Sequence, residues 1–152
     1  AASDVYKRQG ASQLKRSLRV TREVAQRLIT GDYTPLLQSR EAFAAECYAL
    51  MQSRCYRPKA IVEYDRKAFI AKENKIRVTF DSRIVATESS FDLFDERLNM
   101  APVLAPGAVV MEVKYNGFLL DYIRRMINTV DQSELSVSKY MLARQNGYRY
   151  RL

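Results

Sequence analysis

Residues 109–115, Val-Val-Met-Glu-Val-Lys-Tyr, alternate strictly along the chain. Side chains in a strand change face at every residue. Val109, Met111, Val113 and Tyr115 therefore point one way, and Val110, Glu112 and Lys114 the other. Residues 75–81 repeat the pattern, with Ile76, Val78 and Phe80 on one face and Lys75, Arg77, Thr79 and Asp81 on the other. In residues 60–66, Tyr64 and Arg66 share a face. Strands that each place cations and an acid on one side predict a sheet with a charged concave face, suited to a polyanion and a metal.

The 152 residues suffice for one domain with a core of its own. The net charge of +8 favours anionic partners: nucleic acid, phosphorylated small molecules, polyphosphate or an acidic membrane surface. Charge alone does not choose among them. No apolar run reaches the length of a membrane span and no secretory signal is evident, so a cytoplasmic setting is expected. The chain has no histidine. That removes imidazole general-base chemistry, His-containing triads and His-containing zinc sites. A metal would rest on carboxylates, which suits Mn²⁺ or Mg²⁺. Cys47 and Cys55 are eight apart. On a helix that is about 12 Å, too far for a disulfide, so two reduced thiols are expected.

Residues 1–9 read Ala-Ala-Ser-Asp-Val-Tyr-Lys-Arg-Gln. They resemble the in-frame translation of a transposon-based sequencing adapter and are expected to be non-native, with the authentic N-terminus lying upstream of the fragment. Removing Lys7, Arg8 and Asp4 from the count leaves about +7, so the basic character holds. Residues 13–20 read as a strand. Thr21 reads as a helix N-cap and Gly31 as the stop. Phe43, Cys47, Tyr48, Met51 and Cys55 fall at helical spacing, which predicts a helix over 39–54. Strands are expected at 59–69, 75–81 and 83–88, the first two joined by a tight turn at Lys72-Glu73-Asn74. Residues 89–107 read as loop, pinned by Phe91, Leu93, Phe94 and Leu98. After the 109–115 strand, helices are expected over 119–130 and 137–145, the second ended by Asn146-Gly147 and followed by a basic aromatic tail over 148–152.

Each polar face has a bland reading, an ordinary solvated sheet face with surface ion pairs worth under about 1 kcal/mol each. For Glu112, an ion pair with Lys114 stands beside a metal-binding role. Ser136 or Ser138 reads first as a helix N-cap and otherwise, with Lys139, as part of an anion site. The alternative for the set is a barrel, charged inside and covered outside by amphipathic helices.

Taken in order, Glu63-Tyr64-Asp65-Arg66, Arg77-Val78-Thr79-Phe80-Asp81, Met111-Glu112-Val113-Lys114-Tyr115 and Ser138-Lys139-Tyr140 resemble the VTC domain. This is the polyphosphate polymerase domain of the vacuolar transporter chaperone family, and Asp92-Leu93-Phe94-Asp95 and Phe118-Leu119 look like its bacterial branch. The match covers residues 10–144. The family belongs to the triphosphate tunnel metalloenzymes, so the resemblance implies an α+β fold with a partial antiparallel β-barrel, charged inside and flanked by helices. It implies transfer of the γ-phosphate of ATP to growing polyphosphate, with Mn²⁺ or Mg²⁺. Carried across, Arg66, Arg77, Lys114 and Lys139 grip phosphates as catalytic cations, Tyr64 and Ser138 hydrogen-bond to them, Lys15 is a further basic tunnel residue, and Glu112 holds the metal. The family's opening strands, with a Glu/Lys signature and an Arg-x-Arg strand, are not in this sequence. Residues 10–152 are therefore expected to be the C-terminal portion of such a domain, inactive alone. Leu120 replaces a proline common in bacterial relatives, which touches a helix start and not the tunnel. Two rivals remain: a triphosphatase or nucleotide phosphohydrolase of the same fold, and a non-enzymatic polyanion-binding module. Nucleic acid is not an expected partner, because the aromatics sit at apolar spacing and are not interleaved with the cations. The oligomeric state is not legible.

Overall fold

The computed structural model describes residues 2–9, 12–129 and 138–149, with side chains described from Arg16 onward except at Asn74 and 146–149. The chain divides into two compact units, where its length predicts one domain: residues 1–59 with 91–96, and residues 60–90 with 97–152.

In the first unit, β1 (Ala2–Gln9) pairs antiparallel with β2 (Ser12–Arg19). Thr21 caps α1 (Arg22–Ile29), its hydroxyl accepting from the Val24 amide at 3.3 Å. Gly31, at φ +88°, ends the helix: its amide reaches Leu28 O at 3.1 Å, and that of Asp32 reaches Arg27 O at 3.0 Å. This is a Schellman motif, and the positive φ is why glycine stands there. A short 3₁₀ helix (Thr34–Gln38) and α2 (Ala42–Ser53) follow. Leu18, Tyr33, Leu36, Ala44 and Cys47 form this unit's core. Cys55 is exposed, and both cysteines are unbridged.

The second unit is built on a four-stranded antiparallel sheet. Its centre is β4 (Arg77–Thr87). On one edge β4 pairs throughout with β3 (Ile61–Ile70). On the other edge it pairs first with β6 (Val110–Lys114), then with β5 (Ala101–Pro102). The sheet is open and does not close into a barrel. The β3–β4 connection turns where predicted, through a 3₁₀ turn at Glu73–Lys75.

The break expected at Ser82 is a bulge inside one continuous strand. Glu63 pairs with Val85 but Asp65 pairs with Ser82, so β4 holds one extra residue, and Arg83 takes φ +49° to absorb it. The bulge resets the alternation. Thr79, Asp81, Ile84 and Ala86 are all buried, and the register puts them on one side with Val62, Tyr64 and Arg66 of β3. The opposite, apolar side carries Phe69, Val78, Phe80 and Met111. With Tyr122, Ile123 and Met126 of α3 (Asp121–Ile127) these line a groove of about 510 Å³.

α3 is shorter than the 119–130 predicted. α4 (Lys139–Arg149) runs through Asn146-Gly147, where an end was expected, and takes in Tyr148 and Arg149 of the expected tail. Residues 130–137, which include the whole of the loop expected over 131–136, lie outside the described residues, as does the end of the tail at 150–152. The only strand inside the stretch read as loop, β5, is two residues long and ends on a proline.

Candidate functional site

The register of the second sheet fixes what shares its polar face. On β4 that face carries Arg77, Thr79 and Asp81 in succession. Arg66 of β3 stands directly opposite Asp81. On β6, Glu112 stands opposite Thr79 and Lys114 opposite Arg77. Paired residues in an antiparallel ladder point to the same side. Arg66, Arg77, Glu112 and Lys114 therefore share one face.

Their order along β4 is linear. Arg66 and Asp81 lie at one end, Thr79 and Glu112 in the middle, and Arg77 and Lys114 at the other. Four residues of strand separate Asp81 from Arg77, about 13 Å. A single phosphate group cannot touch both ends; a chain of phosphates can. Glu112 and Lys114 contact each other at 3.1 Å, with 46% and 66% of their side-chain surface exposed. An exposed pair of this kind adds little stability.

Asp81 is fully buried. The Arg66 guanidinium grips it in a fork, Nε to Oδ1 at 2.6 Å and Nη2 to Oδ2 at 2.7 Å. Lys139 Nζ, from the first residue of α4, reaches Oδ2 at 2.6 Å. The Tyr64 ring lies against both cations, with its centroid 5.0 Å from Arg66 Cζ and 4.8 Å from Lys139 Nζ. Cations over an aromatic face are attracted by its quadrupole. The hydrogen bonds from Arg66, then Lys139, hold the Asp81 carboxyl down to about 2 against the opposing effect of burial. The same bonds raise the Arg66 guanidinium above its ordinary range, and Glu112 adds to that field. A second ion pair, Arg144 Nη1 to Glu88 Oε1 at 2.5 Å, joins α4 to the residue after β4. Ala143 is buried between these two attachments.

Of the residues singled out in the sequence, Tyr64, Arg66 and Lys139 meet around Asp81. Arg77, Glu112 and Lys114 share their face on the neighbouring strands. Ser138 stands before α4, and its hydroxyl accepts from the Met141 amide at 3.4 Å, which is N-cap geometry. Lys15 belongs to β2 in the first unit, and its side chain lies outside the described residues.

Sequence reasoning assigned no role to Asp81 or Thr79. The signal for Asp81 was present, since it alternates onto the Arg77 face. Seeing its partners required the β3–β4 register and the placement of α4. Thr79 is only 2% exposed, and its hydroxyl makes no hydrogen bond among the described residues. A buried hydroxyl without a partner is costly. Thr79→Val keeps the shape and removes that cost, so the urea midpoint should rise, by about 1 kcal/mol in unfolding free energy. A fall would mean the hydroxyl has a partner in solution.

The donor set can be tested against a divalent cation. Asp81 is fully engaged by two cations and is unsuited to a metal. Among the described residues no three histidine, cysteine or acidic groups come together as a metal site, and Glu112 is a half-exposed carboxylate on the polar face, paired with Lys114. Mg²⁺-like ions are commonly held by one or two carboxylates together with substrate phosphates. The residues fit a cation held jointly with a phosphate ligand.

No helix among the described residues is long and apolar enough to cross a membrane. A family model, VTC domain, matches residues 4–147. No curated protein matches the chain significantly.

Proposed function

The chain belongs to the VTC domain family, whose function is polyphosphate-related and generally phosphotransferase, and on that premise we propose that it carries the phosphate-gripping face of a polyphosphate polymerase domain. The observation that carries this reading is the linear polar face, with cations at both ends over about 13 Å and a carboxylate at its midpoint. Arg66 and Lys139 receive one stretch of the phosphate chain beside the Tyr64 hydroxyl. Arg77 and Lys114 receive another. Ser138, before α4, extends the same path, and Lys15 is read from the resemblance alone as a further basic residue. Arginine supplies forked, directional donors and lysine a mobile point charge, and a flexible anion needs both.

Glu112 would hold Mn²⁺ or Mg²⁺, and the bound ion would supply charge neutralisation to the phosphate chain. The reaction is displacement at the γ-phosphorus of ATP. A terminal oxygen of the chain forms the new P–O bond, the bond to the β–γ bridging oxygen breaks, and ADP leaves. An ionised chain end needs no general base, which accords with a chain lacking histidine. What the residues contribute is alignment and charge neutralisation. The full domain is read as a closed tunnel. The sheet described in this chain is open.

The test supplies ATP and Mn²⁺ to a complete VTC-domain protein that contains this segment. Polyphosphate should accumulate with ADP in proportion. Free phosphate without polyphosphate would make the protein a triphosphatase. Tight polyphosphate binding without turnover would make it a binding module.

A further inference from the structure

Asp81 has no part in the reaction just described, yet it is the most heavily bonded side chain on the polar face. It is fully buried, while Arg66 and Lys139, the cations it holds, retain 33% and 21% of their side-chain surface. A guanidinium has five N–H donors and an ammonium three. Asp81 takes two from Arg66 and one from Lys139, leaving three and two. The carboxylate is itself fully buried, both cations keep exposed surface, and the Tyr64 ring lies against both. Free arginine and lysine side chains each carry about 2 kcal/mol of rotamer entropy. Held this way, much of it is lost before any ligand arrives.

We propose that Asp81 is a positioning residue for phosphate binding: from behind the face it fixes Arg66 of β3 and Lys139 of α4 so that their remaining donors converge on one phosphate group. This rests on the phosphate-chain reading above. The competing account is that Asp81 only fastens α4 to the sheet. The two accounts separate because α4 has a second fastening, Arg144 to Glu88, that involves none of the cations assigned to phosphate. They separate also in sign. A bystander carboxylate near a polyanion repels it, so removing it should tighten binding. Removing a positioning carboxylate should weaken binding despite the lost repulsion.

The experiment is calorimetric titration of the chain with tripolyphosphate at fixed salt, with folding of each variant checked by near-ultraviolet circular dichroism. Asp81→Asn should weaken binding at least 10-fold, and Glu88→Gln should leave it within 2-fold. Should Asp81→Asn not fold at the working temperature, Asp81→Glu keeps the charge and displaces it by one methylene, and should weaken binding at least 3-fold. Unchanged or tighter binding in the folded Asp81 variant overturns the proposal, as does an equal loss in Glu88→Gln. Failure of the unaltered chain to bind tripolyphosphate would defeat the phosphate-chain reading and this proposal together. Binding by the unaltered chain that is indifferent to Asp81 would defeat this proposal alone.

Discussion

Replacing Asp81 by Ala is expected to lower the unfolding free energy of the sheet unit by about 3 kcal/mol at pH 7. Removing one partner of a buried ion pair costs about 3–5 kcal/mol, because the remaining charge is left without compensation. The low end applies, since Arg66 and Lys139 can turn partly into water. The same group sets an acid dependence. Its pKa falls from 3.8 to about 2 on folding. A depressed carboxyl contributes stability that is complete above the unfolded pKa and is lost as pH falls through the folded value. The contribution is therefore full above about pH 5, falls as pH drops through 2 and is gone near pH 1, and is worth roughly 2 kcal/mol. Urea unfolding at pH 7, 5 and 3 should show the unaltered chain losing stability toward pH 3 more steeply than Asp81→Ala. Parallel curves would show that Asp81 is not charged and paired in solution.

The largest functional effect is expected at Glu112. In a complete VTC-domain protein that contains this segment, Glu112→Gln should reduce metal-dependent turnover at least 100-fold, about 2.7 kcal/mol of barrier. In the chain alone, Mn²⁺ should strengthen tripolyphosphate binding, and Glu112→Gln should abolish that gain. Binding without metal should be unchanged or slightly tighter, because a negative charge has been removed beside Lys114. A variant that keeps its Mn²⁺-dependent gain would remove Glu112 from the metal site and return it to the plain ion pair that its contact with Lys114 also fits.

Much of the sheet could be read from alternation alone. The two faces of 75–81 and 109–115 emerge as predicted, because a strand with one buried face has a strongly specified register. The Thr21 cap and Gly31 stop were legible because capping chemistry is local. What could not be read depends on partners distant in sequence. The bulge at Arg83 adds one residue opposite β3, and nothing in Ser82-Arg83 distinguishes a bulge from a break. β5 is too short to show a period. α4 passes through Asn146-Gly147 although glycine costs about 1 kcal/mol within a helix. Part of what holds it is Lys139 on Asp81 and Arg144 on Glu88, partners more than 50 residues away. The face of Asp81 was legible but its role was not, for the same reason: a carboxylate on a polar face reads as solvated until two cations from other elements close over it.

Nuclear magnetic resonance titration of the labelled chain with tripolyphosphate tests the shared polar face most directly. Arginine Nε and lysine Nζ signals of Arg66, Arg77, Lys114 and Lys139 should shift together along one saturation curve, and those of Arg22, Arg40 and Arg54 should stay still. Shifts scattered across the exposed cations, each with its own weak curve, would contradict the phosphate-chain account.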